Sequence, residues 1–152
     1  MSKMFASHLS FNSGFKVMDR LSLERRSWLM SRVRSKDTTA EMAIRSALHA
    51  LGYRYRVNFK KLPGKPDLAF TKRRKAIFVN GCFWHSHEGC RYGRLPKSRV
   101  DFWTDKMTKN RERDAGNIAA LNELGWKVLV VWQCELKEFE RALAKIHDFL
   151  EN

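Results

Sequence analysis

Two cysteines, two histidines and the adjacent Phe83 and Trp84 crowd into residues 80–93, NGCFWHSHEGCRYG. Thiolate and imidazole are the ligands of closed tetrahedral zinc sites. Cys82, His87 and Cys90 supply the local part of such a set, spaced Cys-x4-His-x2-Cys. A third cysteine, Cys134, follows the apolar run VVWQCEL. If the strands AIFVNG and WKVLVVW lie side by side, both end at one sheet edge and the four side chains converge on a structural zinc. The competing explanation is three thiols buried as small hydrophobes. HSHEGC is too polar for core, and so open a loop needs a staple, which favours zinc. Spacing alone leaves His85 and His87 interchangeable as the fourth ligand. Whichever is spared stays free for proton transfer in a tightly held loop.

Oxygen ligands come from elsewhere. Asp67 opens a strand in PGKPDLAF, where an aspartate ordinarily caps a turn. The neighbouring strand ends at Val79, and its backbone carbonyl can face the same point. Magnesium takes such ligands, completing its shell with water and phosphate. Metal-assisted phosphodiester hydrolysis then requires a base to activate water, for which His85 is the candidate. On the long helical segment 101–125, Asn110 and Asp114 interrupt the apolar row between Met107 and Ile118. A local ion pair with Arg111 would satisfy Asp114 alone; two polar residues on one row indicate a polar pocket. Phe83, Trp84 and Trp103 would ordinarily be core. In a polar loop of a basic protein they are candidates to stack on bases or wedge between base steps.

These side chains must be carried by one domain of 152 residues. The charge is lopsided, 30 Lys+Arg against 16 Asp+Glu for a net +14, a field that attracts nucleic acid. No run approaches the roughly 20 apolar residues of a membrane span, and the opening segment has no signal-peptide pattern. With three cysteines, an odd number, a disulfide scaffold is disfavoured and a cytoplasmic, nucleoid-associated location expected. Residues 1–20 read as a flexible arm, and residues 22–36 as a basic helix with Leu23, Trp28, Leu29 and Val33 on one side. Thr38 and Glu41 form a capping box for a helix that Gly52 stops. YRYRVNF alternates as a half-buried strand, DLAF and AIFVNG follow as strands, and TKRRK is the turn between them. A long helix, the strand WKVLVVW and an amphipathic helix through Leu136, Phe139, Leu143, Ile146 and Leu150 complete the order. Such an order predicts an α/β sandwich around a small mixed sheet.

Across residues 27–150 the motifs MSRVRSKDTTAE, LPGKPDLAF, IFVNGCFWHSHEGC, DFWTDKMTKNRERD and LGWKVLVVWQCEL resemble the very-short-patch-repair (Vsr) mismatch endonucleases. The resemblance implies a restriction-endonuclease-like three-layer sandwich over residues 21–152, with a zinc-stapled loop. It implies magnesium-dependent nicking of duplex DNA 5′ of the thymine in T·G mismatches, which arise when 5-methylcytosine deaminates. By motif, Asp67 and the Val79 carbonyl resemble the magnesium ligands, His85 the general base, and Glu41 and Asp114 the supporting carboxylates. Cys82, His87, Cys90 and Cys134 resemble the zinc set, and Phe83, Trp84 and Trp103 the intercalating aromatics. The basic N-terminal helix would lie against the minor groove. Asn80 stands where the family often has histidine, the histidine run is shortened to His85-Ser86-His87, and one extra residue precedes Cys90. The enzyme is expected to be a monomer that hands its nick to downstream repair proteins. The rival readings are a nuclease of this fold serving phage defence or restriction, and a non-catalytic zinc-stabilised DNA-binding module.

Overall fold

The computed structural model describes Ser22, Glu24, Arg25, Trp28, Ser31, Arg32 and residues 37–152. The arm 1–20 and most of segment 22–36 lie outside these. Within that segment Glu24, Arg25, Trp28 and Ser31 are helical. Trp28 is 50% exposed rather than turned to a core, with the Arg32 guanidinium 4.2 Å over its ring.

Helix α1 (Thr39–Ala50) begins as its capping box requires. The Glu41 N–H donates to Thr38 Oγ1 at 3.3 Å, and the Glu41 carboxylate accepts from Thr38 Oγ1 and from the Asp37 N–H. Strands β1 (Arg56–Val57), β2 (Leu68–Phe70) and β3 (Lys75–Asn80) form an antiparallel meander. Strand β4 (Lys127–Trp132) runs parallel to β3, with Asn80 opposite Trp132, after the crossover helix α2 (Val100–Glu123). A short 3-10 turn (Glu135–Glu138) leads into helix α3 (Phe139–Glu151).

Alternation along the strands sorts two faces. Leu68, Phe70, Ile77 and Val131 meet Ile44 and Leu48 of α1 and Ile146 and Leu150 of α3 in one core. Each such side chain, fully buried, is worth roughly 1.5–3 kcal/mol. The other face, with Phe78 and Val130, lies opposite Ile118 of α2 across a cleft. Helices thus cover both sides of a four-stranded mixed sheet, in the three layers expected.

Two expectations need correction. The alternation over residues 53–59 yields pairing only at Arg56–Val57, and Val57 is 42% exposed. This strand is the sheet's outer edge, with β2 as its single neighbour; beyond Val57, where Asn58 takes φ 46°, the pairing continues only as the Asn58 and Phe59 N–H bonds to Asp67 and Pro66. Lys75, placed in the basic turn by composition, is instead the buried first residue of β3. Its Nζ donates to the Leu150 carbonyl at 2.9 Å, joined there by Arg73 at 2.8 Å, so two cations satisfy the C-terminal end of α3.

Candidate active site and metal centre

Parallel strands β3 and β4 end together, and the chain leaving β3 at once forms the loop that carries His85. On the α2 side of that edge lies a cleft of about 330 Å3. Glu41, Asp67, Val79, Asn80, His85 and Asp114 all line it. They arrive from α1, the start of β2, the end of β3, the loop and α2, so only the folded sheet brings them together.

Asp67 faces the cleft from a partly buried position, and its Oδ2 accepts the Val79 N–H at 2.7 Å. Burial pushes its carboxyl up from 3.8 to about 6, against the Val79 hydrogen bond, and the nearby Glu41 adds to the rise. Val79 thus lines the cleft and meets Asp67 through its N–H. Glu41 is 4% exposed and held on both oxygens, with Arg45 Nη2 donating at 3.0 Å besides the capping contacts. The His85 Nδ1 lies 2.5 Å from Asp114 Oδ2. With Asp114 ionised, Nδ1 carries the proton and Nε2 offers its lone pair. Asp114 also accepts from Arg113 Nη2 at 3.0 Å, whereas Arg111 pairs with Glu88 at 3.3 Å. The Arg111 alternative for Asp114 is therefore not the pair that forms.

The oxygen-rich cleft suits a hard divalent cation, since carboxylates beside phosphate repel it unless a cation intervenes. A buried Asp67 with a raised pKa, beside a second carboxylate, gains its charge most readily when such an ion binds.

Behind this loop the ligand atoms of Cys82, His87, Cys90 and Cys134 all lie within 4.8 Å of one another. Cys134 Sγ is 3.3 Å from His87 Nδ1, and the His87 ring stacks at 4.0 Å on Trp132. No cysteine is disulfide-bonded. Burial pushes the Cys82 thiol up to about 12, while the Tyr92 N–H draws Cys90 below its ordinary value. Three thiols and an imidazole in this compass fit a tetrahedral zinc, which favours the thiolates that burial opposes. The geometry separates the histidines that spacing left interchangeable: His87 joins the cysteines and His85 faces the cleft. Gly93 lets the loop close, because a Cβ there would meet the His87 carbonyl at 2.5 Å.

The aromatics form one edge-to-face cluster. Phe83 lies 5.1 Å from Trp84 and 5.2 Å from Trp103 between ring centroids, and Phe102 packs on Trp103 at 5.2 Å. Trp103 is 8% exposed, Phe102 46%. Asn110 is outside the cleft lining; its Nδ2 donates to the Trp84 carbonyl at 2.9 Å and ties the aromatic loop to α2.

The model of the family described as DNA mismatch endonuclease Vsr matches residues 18–91. A type II nicking enzyme, V.XorIIP of Xanthomonas oryzae pv. oryzae, is 54% identical over 135 residues, which are 89% of this chain and 98% of that protein. The DNA mismatch endonuclease Vsr of Escherichia coli K12 is 42% identical over 116 residues, 76% of this chain and 74% of its own. This chain belongs to the Vsr family. It is a DNA endonuclease, and its mixed sheet with three described helices is an α/β nuclease fold. The type II nicking enzyme V.NmeAIP of Neisseria meningitidis serogroup A is 45% identical over 121 residues, 80% of this chain and 86% of its own.

Within this Vsr-family chain Asp114 and Cys134 lie beyond the segment matched to the family model, and the fold brings them to the cleft and to the Cys/His cluster, while Trp103 joins the aromatic cluster. Sequence reasoning missed Asn58, Lys60, Lys65, Arg113 and Asn117, which also line the cleft. Lys65 lies within the PGKPD turn that carries Asp67 and Lys60 shortly before it, and that proximity was the available signal. Arg45 shows only as an i+4 partner of Glu41. No helix among the described residues is long and apolar enough to cross a membrane.

Proposed function

We propose that this Vsr-family chain is a magnesium-dependent endonuclease that nicks one strand of duplex DNA 5′ of the thymine in a T·G mismatch. One observation carries the reading: Asp67 and His85 share a single cleft, with the Asp114 carboxylate behind the imidazole. Asp67 and the Val79 carbonyl would hold magnesium, with Glu41 in support, and the bound ion would supply charge neutralisation at the phosphate. His85 Nε2 takes a proton from the attacking water while Asp114 fixes the tautomer and stabilises the imidazolium. Cys82, His87, Cys90 and Cys134 hold a structural zinc that keeps the His85 loop rigid. Phe83 and Trp84, half-buried and backed by Trp103, are the wedge that opens the mismatch, and the basic residues before α1 follow the minor groove. The enzyme acts as a monomer in the cytoplasm and leaves its nick to downstream repair proteins.

A nicking assay on matched and T·G duplexes, with and without magnesium, tests this. Nicking confined to the mismatch with magnesium supports it; equal cutting of both duplexes, or none, refutes it. Asn80, 9% exposed on the cleft wall, favours one second reading, a nuclease of this family with another DNA specificity. A neutral amide there cannot act as a cationic phosphate contact. A panel of mismatches and modified cytosines separates the two readings.

A further inference from the structure

The turn that delivers Asp67 also presents two lysines to the cleft, and the roles assigned above leave both unused. The Asn58 N–H donates to the Asp67 carbonyl at 3.1 Å and the Phe59 N–H to the Pro66 carbonyl at 3.2 Å, which zips the base of the turn. Inside it, the Lys65 N–H donates to the Leu62 carbonyl at 3.1 Å. Lys60 and Lys65 stand on opposite arms and both line the cleft. Among the described residues neither ammonium group has a hydrogen-bond or ion-pair partner, although Glu41, Asp67 and Asp114 share those walls. Elsewhere Lys109 and Lys145 pair with neighbouring carboxylates. Two cations left unpaired among carboxylates are available for a different anion.

The backbone fixes where they stand. Gly64 at φ 70° and Lys65 at φ 51° are consecutive left-handed residues. A lysine there costs roughly 1 kcal/mol that glycine would not. A Cβ on Gly64 would lie 3.0 Å from Asn117, so the turn is pressed against α2 on one side and zipped by its ladder on the other. Strain retained in a rigid turn beside a cleft points to function at the strained residue.

We propose that Lys65, with Lys60 opposite, is a phosphate anchor. Its ammonium contacts a non-bridging oxygen of a DNA phosphate beside the scissile one and seats that strand against Asp67 and His85. The assignment rests on the nuclease reading above. Lys65→Gly relieves the left-handed strain, so this variant melts no lower than the wild type. It nonetheless nicks T·G duplex with kcat/KM roughly 10–100-fold lower, and Lys65→Arg recovers most of the loss. Duplexes carrying one uncharged methylphosphonate at successive positions around the nick locate the contact. At one position the wild type drops to the rate of Lys65→Gly, and Lys65→Gly loses nothing more. Wild-type rates for Lys65→Gly, or losses that multiply at every methylphosphonate position, overturn the anchor. A wild type that nicks no duplex overturns the nuclease reading itself, and the anchor with it.

Discussion

Asp67 carries a conflict between stability and chemistry. Its carboxyl titrates near 3.8 when unfolded and about 6 when folded, so the native state binds more protons between those values. Stability therefore falls as pH rises through that window, and above it the full cost of a buried charge remains. Asp67→Asn keeps an acceptor for the Val79 N–H and removes the charge. It should be more stable than wild type by about 1–2 kcal/mol at pH 7–8, after allowing for solvent screening, with the gap closing below about pH 4. Magnesium should raise the melting temperature of wild type but not of Asp67→Asn, and the variant should not nick. Equal melting curves at pH 8 would contradict the burial argument. For His85, Asp114→Asn should slow nicking by roughly 100-fold or more while DNA binding persists, because the amide no longer enforces the working tautomer. Single-turnover rates beside a binding titration check this. The sequence pointed to Asp67 and Asp114 because each breaks a local pattern, a carboxylate after a turn and an acid on an apolar row; His85 it left interchangeable with His87 until the fold placed His87 with the thiols. It gave no sign of the roles proposed for Lys60 and Lys65, because exposed lysines are unremarkable in a chain of net charge +14. Whether Asn110 lined a pocket or tied down a loop was equally invisible, since both satisfy a polar group on that row.

Among the elements, the loop after β3 depends on what its ends do. The register that sets Asn80 beside Trp132 fixes where both strands stop, and so brings Cys134 to Cys82. Cys134→Ser should cost one zinc per chain and roughly 3 kcal/mol, about 10 °C in melting temperature. Metal analysis with calorimetry reads both; a variant that keeps its zinc and its melting point would dismiss the staple. Gly93→Ala should resemble it more mildly, since the new methyl must displace the His87 backbone. The helices were legible because long periodic stretches and the Thr38–Glu41 box declare themselves locally. The edge strand was not: alternation records which side chains could face a core, whereas pairing needs a neighbour, and β2 offers only three residues. Tyr53 and Tyr55 follow the expected face, packing on Phe70 at 6.2 and 5.7 Å, while Val57 does not.

At the scale of the molecule, the charge and the cleft work at different ranges. A net +14 draws any duplex to the surface, and that attraction weakens steeply with salt. In the proposed reading, selection among duplexes falls to the aromatic cluster and the cleft, which act at contact distance. Binding to matched DNA should therefore fall by at least about 100-fold between low and physiological salt, while discrimination for the mismatch changes little. Composition announced the first property, and no count of residues announces the second, because it depends on four elements and a loop meeting at one sheet edge. The most direct test of that meeting is mapped nicking with magnesium on one labelled duplex, prepared with T·G and with T·A at the same position, using wild type and His85→Ala. One cut, 5′ of the mismatched thymine and made by wild type alone, is the expected result. Cutting of both duplexes alike, or undiminished cutting by His85→Ala, would contradict it.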